Sequence, residues 1–260
     1  MKQKFEKYST ESIHFLNDTP LPAVLEFKLK ETRQKKPAIS LLDLGSGDGA
    51  WIHSMLKRNL INFEHDQITA SDLSVDRLNA TKQFLPQVKT VQSDACHIDA
   101  LPDKQFDVIL CTMLIEHVDD DRELLKEIRR LLKDDGWAYV TTVVKKWYGL
   151  YIYRNNGHIV LDPTHVREYP SLKKFVQLEE NAGFKINRYK QLIYKFQLSD
   201  LFFRLLVKLK ILKPKSLRTI YMKNPWKTIR NLFRIPILGF YVAETIIQSN
   251  RSEKYKRHIL

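Results

Sequence analysis

Short apolar runs and amphipathic stretches alternate along most of this chain. From Pro37 onward, apolar runs of strand length are separated by stretches in which apolar residues recur at helical spacing. The runs predict strands at 38–44, 67–72, 88–93, 106–112, 137–144 and 186–194. The stretches between them predict helices over about 50–59, 74–84, 121–133 and 171–182. Strands joined by helices of this size form right-handed βαβ units, so the pattern predicts an α/β fold with a mostly parallel sheet and helices on both faces.

The pattern changes at both ends of this alternating region. Apolar residues recur among charges over about 9–35, interrupted by Pro20 and Pro22, which predicts an N-terminal helical cap. The alternation stops near 195, where Leu and Phe recur on one helical face and basic residues lie off that face. We therefore divide the chain into the cap (1–36), a core (37–194), a basic amphipathic helical insertion (195–235) and a final strand with a basic tail (236–260).

A glycine-rich turn follows the first predicted strand. Gly45, Gly47 and Gly49 occupy alternate positions in a chain with only eight glycines. Glycine is favoured where φ must be positive or where another group must come very close. A turn between a strand and a helix presents backbone N–H groups to a ligand. The spacing G-x-G-x-G is neither the dinucleotide-binding pattern nor a phosphate-binding P-loop.

Two carboxylates accompany this turn. Asp43 precedes the first glycine, where it would repel a pyrophosphate but would suit a ligand with an ammonium group. Asp72 ends the next predicted strand, and an acid at that place suits a bidentate grip on ribose hydroxyls. The turn and its carboxylates therefore predict a cradle for a positively charged nucleoside.

These residues resemble the class I S-adenosylmethionine (SAM)-dependent methyltransferases of the small-molecule type. The matching stretches, in the family's order and spacing, are LLDLGSGDG (41–49), ITASDLS (68–74), VQSDA (91–95), FDVILCTMLIEHV (106–118) and LLKDDGWAYVTT (131–142). The stretch DPTHVREYPSLKKFVQLEENAGF (162–184) resembles the segment that leads into the family's sixth strand. The resemblance implies a Rossmann-like, seven-stranded, mostly parallel sheet whose last strand is antiparallel, with the basic insertion before that strand. It also implies SAM as the cofactor.

The resemblance assigns the glycine-rich turn to the methionine part of SAM. Asp43 and the backbone of Gly45 and Gly47 would hold that part, with Ser46 between the two glycines. Gly49 would allow the following helix to pack close to the strand.

The nucleoside part of SAM falls to residues at the ends of the next strands. Asp72 would bind both ribose hydroxyls, and Leu73 would lie against the adenine. Asp94 would receive the adenine amino group, with Ala95 beside it. Thr112, at the end of the fourth strand, would line the pocket near the methyl group.

Two histidines are the candidate catalytic residues. His117, which follows Glu116 after the fourth strand, would lie in the substrate-facing turn. His165 belongs to a segment that borders the acceptor pocket in similar enzymes, and an ordinary imidazole pKa of about 6.5 suits a base. The alternatives are that His117 is only a surface residue of its loop and that His165 only hydrogen-bonds its own loop. The sequence shows no His/Cys/Asp cluster with metal-ligand spacing, so it predicts no metal site.

The basic charge belongs to the C-terminal part of the chain. Residues 185–260 hold 18 basic and three acidic residues, whereas the net charge of the whole chain is +13. A basic amphipathic helix can lie on an anionic membrane surface, which would suit a lipid-linked acceptor. RNA is a second partner for such a surface, and a lid packed on its own domain is a third interpretation. The segregated Leu/Phe face and the absence of an RNA-binding motif make nucleic acid the less favoured partner.

The cysteine content and the hydropathy of the chain indicate the compartment in which the protein is expected. Cys96 and Cys111 lie in apolar, strand-like surroundings, which predicts buried free thiols and a reducing compartment. The N-terminus lacks the apolar core of a signal peptide, and no apolar run approaches the roughly 20 residues that cross a bilayer. We expect a cytoplasmic protein, associated peripherally with a membrane if 195–235 binds lipid.

These observations predict an enzyme that transfers a methyl group from SAM to O or N of a small-molecule, sugar or lipid-linked acceptor. Two alternatives stay open at this point: an RNA methyltransferase that uses the basic C-terminal region, and a catalytically silent SAM-binding regulatory module. The sequence does not identify the acceptor or the oligomeric state.

Overall fold

A seven-stranded sheet forms the centre of the protein. The computed structural model describes residues 20–145, 153–155, 158–162, 164–199 and 236–249, with short pieces at 202, 205–206, 209–211, 225, 228 and 232. The strands are β1 (Ser40–Leu44), β2 (Gln67–Asp72), β3 (Lys89–Gln92), β4 (Phe106–Thr112), β5 (Leu132–Val144), β6 (Tyr153–Asn155), β7 (His158–Val160), β8 (Phe184–Gln197) and β9 (Pro236–Ser249). The helices are α1 (Ala23–Lys35), α2 (Ala50–Lys57), α3 (Val75–Phe84), α4 (Asp121–Leu131) and α5 (Leu172–Asn181).

The strand order places the candidate site at one edge of the sheet. The order is β3-β2-β1-β4-β5-β9-β8, and β6 and β7 form a separate two-stranded antiparallel sheet. The pairs among β1 to β5 are parallel, whereas β9 runs antiparallel to both β5 and β8. The predicted mostly parallel sheet with an antiparallel last strand is confirmed. Parallel strands end at the same edge, so the turns that follow β1 to β4 converge there.

The helices cover both faces of the sheet, as predicted. One face packs on α1, α2 and α3 through buried residues that include Leu25, Ile52 and Leu78. The other face packs on α4 and α5 through Ile128 and Phe175. Leu124, Leu125, Ile128 and Leu131 of α4 are buried, and the Asp120 carboxylate caps this helix by accepting hydrogen bonds from two N–H groups of its first turn.

Several predicted boundaries differ from the structure by a few residues, and two of these differences have a clear physical cause. The helix predicted over 121–133 ends at Leu131, because Leu132 is already extended and pairs with Phe106 of β4. The insertion predicted from 195 begins later, because β8 continues to Gln197, which pairs with Pro236 of β9. Both differences arise because pairing with a distant strand overrides a local helical pattern.

The predicted ends of the chain are described in part. Helix α1 belongs to the N-terminal cap, whereas residues 1–19 and the tail 250–260 lie outside the described residues, as does most of the insertion. Within the described portion of the chain, no helix has the length and apolarity required to span a bilayer. Both cysteines are free thiols; Cys111 is buried as predicted, but Cys96 is only half-buried.

Candidate functional site

The glycine-rich turn joins β1 to α2 at the carboxyl edge of the sheet. Its three glycines have φ values of 72°, 57° and 79°, in the left-handed region that favours glycine. The N–H groups of Gly45 and Ser46 both donate to the Ser71 carbonyl, at 2.8 and 2.9 Å. A Cβ at Gly45 would lie 2.8 Å from the Leu114 side chain, so the loop after β4 packs directly on this turn. The turn is therefore held by β2 on one side and by the β4 loop on the other.

The close approach predicted for Gly49 involves a different partner. A Cβ at this position would lie 3.1 Å from Thr81 and 3.2 Å from Leu85. These residues lie in and just after α3, so Gly49 allows the turn to approach the neighbouring helix rather than its own strand. Gly49, with its positive φ, is also the N-cap residue at which helix α2 begins.

Asp72 connects the turn to the end of β2. One carboxylate oxygen accepts a hydrogen bond from the Gly47 N–H at 2.9 Å, and the other accepts one from the Ser74 N–H at 2.9 Å. A carboxylate oxygen accepts more than one hydrogen bond, so both retain capacity for a ligand's hydroxyls. The arrangement is compatible with the predicted ribose role.

Asp43 is a fully buried residue near the carboxyl end of β1, which is an inner strand of the sheet. It lies on β1, between Ala70 of β2 and Leu110 of β4. Neither of its carboxylate oxygens has a hydrogen-bond partner among the described residues, and the same holds for the buried Ser46 hydroxyl. Burial, reinforced by the negative charges of Asp72 and Asp48, raises the pKa of Asp43 to about 7.

An unpartnered buried carboxylate is costly unless a ligand supplies donors or positive charge. The ammonium group of SAM has both properties. The residues around Asp43 therefore fit the amino-acid part of this cofactor. This fit rests on the burial of Asp43 and on the lack of hydrogen-bond partners for its carboxylate among the described residues.

The other predicted SAM residues follow β2, β3 and β4 at the same edge. Leu73 and Ala95 are half-buried, and Thr112 is the half-buried last residue of β4. Asp94 is exposed, and its carboxylate accepts a hydrogen bond from the Cys96 N–H at 3.0 Å. The structure thus brings the ten predicted residues to one edge, while the contacts of all ten with SAM stay predictions.

The loop after β4 is bound to the segment that precedes α5. The Val166 and Arg167 N–H groups both donate to the Glu116 carbonyl, at 2.8 and 3.3 Å. The Arg167 guanidinium donates to three carbonyls of the β4 loop, those of Ile115, Val118 and Asp119. Two segments far apart in the sequence therefore form one unit beside the glycine-rich turn.

This unit contains a cluster of titratable side chains. Glu116, His117 and His165 each offer one ligand atom, and these atoms lie within 4.8 Å of one another. The two imidazole rings meet edge to face, with centroids 4.8 Å apart. Nδ1 of His165 lies 2.8 Å from a Glu168 carboxylate oxygen, and Nδ1 of His117 lies 3.0 Å from the Thr164 hydroxyl. We call Glu116, His117 and His165 the acid–histidine cluster.

Burial and mutual charges set the protonation of this cluster. Burial raises the pKa of Glu116 to about 7. Burial and the charge of His165 lower the pKa of His117 to about 4, so His117 is neutral near pH 7. Burial opposes the charged form of His165, but the hydrogen bond to Glu168 and the charge of Glu116 outweigh it and raise the pKa of His165.

Several neighbours of the predicted residues were not apparent from the sequence. Glu168 and Thr164 hold the two histidines; the only signal in the sequence was that both lie within three residues of His165. Arg77 lies beside the glycine-rich turn. Burial raises the pKa of Asp72, and the charge of Arg77 opposes this only in part. The acid–histidine cluster begins two residues after Leu114, whose side chain packs on Gly45, so the cluster lies on the loop that contacts the glycine-rich turn.

Known proteins resemble this chain along most of its length. The model of a methyltransferase domain family matches residues 14–188. The ubiquinone biosynthesis O-methyltransferase of Histophilus somni is 32% identical over 153 residues, which cover 54% of this chain and 62% of that protein. The chain thus spans less than two thirds of that relative. A protein of the same name from Rickettsia bellii is 25% identical over 219 residues, 76% of this chain and 88% of that protein.

Solved structures resemble the fold. A SAM-dependent methyltransferase from Methanosarcina mazei superposes with a TM-score of 0.57 at 12% identity, covering 89% of this chain and 99% of that one. At this identity the likeness shows the fold alone. The methyltransferase family match covers well over half of the chain. Together with the fold, it establishes that this protein belongs to the class I SAM-dependent methyltransferases.

Proposed function

We propose that this enzyme transfers the methyl group of SAM to a hydroxyl oxygen of a small, lipid-linked aromatic acceptor. The observation that carries the proposal is the position of the acid–histidine cluster, which lies beside the cradle formed by Asp43 and the glycine-rich turn. Oxygen is favoured over nitrogen because two relatives carry the name of O-methyltransferases of ubiquinone biosynthesis. A lipid-linked acceptor also suits the basic C-terminal region.

The cradle side of the site binds the cofactor. When bound, SAM supplies an electrophilic methyl group on a positively charged sulfur. Asp43 would neutralise the ammonium group, the backbone of Gly45 and Gly47 would line the methionine part, and Asp72 would accept hydrogen bonds from the ribose hydroxyls. Asp94 and Leu73 would surround the adenine, and Thr112 would line the pocket next to the methyl group.

The cluster side of the site handles the acceptor. Methyl transfer to a hydroxyl requires loss of the hydroxyl proton, and a positioned side chain that assists proton transfer contributes about 10²- to 10⁴-fold in rate. His117 and His165 are the residues we assign to the acceptor hydroxyl, each oriented through Nδ1 by a neighbouring oxygen. Holding the oxygen in line with the methyl group supplies much of the remaining acceleration.

A transfer assay tests the function. We expect purified enzyme with methyl-labelled SAM to label a catechol that carries an isoprenoid tail, and to label the tail-free catechol less well. Asp72→Ala should lower SAM affinity at least tenfold, about 1.4 kcal/mol, and lower the transfer accordingly. Label in RNA rather than in the catechol would support the RNA methyltransferase alternative. SAM binding without transfer to any fraction of a cell extract would support the silent module.

We also propose that the insertion contacts an anionic membrane surface. Several described apolar side chains of this segment are exposed to solvent: Phe202 at 54%, Leu205 at 51%, Leu209 at 59% and Ile211 at 65%, whereas Leu206 is half-buried. These values favour an external partner over a lid packed on its own domain. The same segment is rich in Lys and Arg and nearly free of acids, which complements anionic headgroups.

Vesicle binding tests this contact. We expect the double variant Phe202→Asp/Leu205→Asp to lose at least tenfold in affinity for phosphatidylglycerol vesicles in a sedimentation assay, with unchanged SAM affinity. Phe84→Asp is the matched control, because Phe84 is 42% exposed but lies at the end of α3, outside the insertion. Its replacement should leave vesicle binding unchanged. Equal vesicle binding by wild type and double variant would contradict the proposal.

A further inference from the structure

We propose that Glu116, His117 and His165 bind a divalent metal ion of the Zn²⁺ type, which coordinates the acceptor hydroxyl. The inference rests on the proposed function, because it names the means by which the acid–histidine cluster engages the acceptor. Two imidazoles and one carboxylate form a donor set that zinc uses in catalytic sites, where three protein ligands leave one position open for water or substrate.

The three ligand atoms are close to the required separation. They lie within 4.8 Å of one another. In a tetrahedral site with metal–ligand distances of about 2.0–2.1 Å, ligand atoms are about 3.3 Å apart. Small rotations of the side chains, moving each ligand atom by about 1 Å, therefore bring them to binding geometry.

Each of the three side chains has an outer partner of the kind that orients metal ligands. Nδ1 of His165 is paired with the Glu168 carboxylate at 2.8 Å, and Nδ1 of His117 lies 3.0 Å from the Thr164 hydroxyl. One oxygen of Glu116 accepts a hydrogen bond from the Thr142 hydroxyl at 3.0 Å. Such contacts set the tautomer and orientation of metal-bound histidines, so we assign Nε2 of both rings to the metal.

The second oxygen of Glu116 points to a ligand independently of the cluster geometry. Glu116 is fully buried, and its Oε1 has no hydrogen-bond partner among the described residues. A buried carboxylate oxygen without a donor is costly, and a bound cation would remove that cost. The backbone around Glu116 is held by Val166 and Arg167, so the carboxylate stays in place without the metal.

A cation at this place would change how the acceptor is activated. Coordination lowers the pKa of a bound hydroxyl, so the acceptor loses its proton to water more readily. The acceptor oxygen then forms the bond to the methyl carbon as the methyl–sulfur bond breaks. The histidines would act as ligands in this scheme, and a separate protein base would not be needed.

Metal binding is measured directly on the full chain, without reference to activity. We expect calorimetry with Zn²⁺ on EDTA-treated protein to show one tight site, and Co²⁺ to give the visible absorption of a low-symmetry site. His117→Ala and His165→Ala should each weaken binding at least a hundredfold. Glu168→Gln, which removes only an outer partner, should weaken it about 10- to 100-fold. His65→Ala is the control, since this histidine is exposed and lies outside the cluster.

The metal site and the proposed methyl transfer are tested independently of each other. Zinc binding that is lost in the cluster variants would support the site even if no catechol is methylated. The site is overturned if folded, EDTA-treated enzyme gives no zinc heat and no cobalt spectrum, or if His117→Ala and His165→Ala bind zinc as tightly as wild type. Full transfer activity in EDTA would likewise overturn it, and would leave the histidines as direct proton acceptors.

Discussion

Asp43→Asn is expected to weaken SAM binding at least a hundredfold, about 2.7 kcal/mol, while making the SAM-free protein harder to unfold. The affinity falls because the ammonium group loses its buried counter-charge. The stability rises because the free protein contains a buried carboxylate whose two oxygens have no partner among the described residues. Calorimetry with SAM and urea unfolding without SAM measure the two effects.

The pH dependence of this effect has a definite sign. The folded-state pKa of Asp43 is raised from 3.8 to about 7, so the native state keeps a proton that the unfolded chain releases. The stability contributed by this group is present below the unfolded pKa and is lost as pH rises to about 7, at about 1.4 kcal/mol per pH unit. The advantage of Asp43→Asn should therefore be smallest below about pH 4 and reach its full size at about pH 7.

Asp107→Asn is the matched control for this experiment. Asp107 is also a buried β-strand carboxylate, but it pairs with Lys36 and Lys133 and accepts the Ser40 N–H. These partners hold the pKa of Asp107 below its usual value against the effect of burial. Its replacement should destabilise the protein and leave SAM affinity unchanged. Wild-type SAM affinity in Asp43→Asn would show that Asp43 does not contact the cofactor.

Glu179→Gln is expected to flatten the dependence of stability on pH. Glu179 is fully buried on α5; one oxygen accepts the Thr245 hydroxyl at 2.6 Å, and the other has no partner in the described part of the chain. Burial raises its pKa to about 8. The native state thus keeps the proton, and wild type should lose about 1.4 kcal/mol per pH unit between about pH 5 and 8 through this residue. Glutamine stays neutral and can still accept the Thr245 hydrogen bond.

Urea unfolding at several pH values between 5 and 8 measures this difference. The two proteins should be similar at pH 5, and the variant should be the more stable one at pH 8. Glu127→Gln provides a control of opposite sign, because Arg130 and the Ile98 N–H lower the pKa of Glu127 despite its burial. That variant should lose stability at neutral pH. Parallel stability curves for wild type and Glu179→Gln would mean that Glu179 is ionised in the native state.

The sequence by itself determined the fold class, the identity of the cofactor and most element positions. Strand and helix periodicity is a local property, and so is the positive φ that Gly45, Gly47 and Gly49 require. Because parallel strands end at one edge, local positions were enough to place Asp43 and Asp72 together.

Only the tertiary structure decided the protonation and the hydrogen-bond partners of the site residues. The burial that raises the pKa of Asp43 depends on β2 and β4 lying on either side of it. The cluster of Glu116 and two histidines exists because the Arg167 guanidinium and two backbone N–H groups join loops that are distant in sequence. Periodicity carries no record of such contacts, since they depend on which surfaces meet after the sheet has formed.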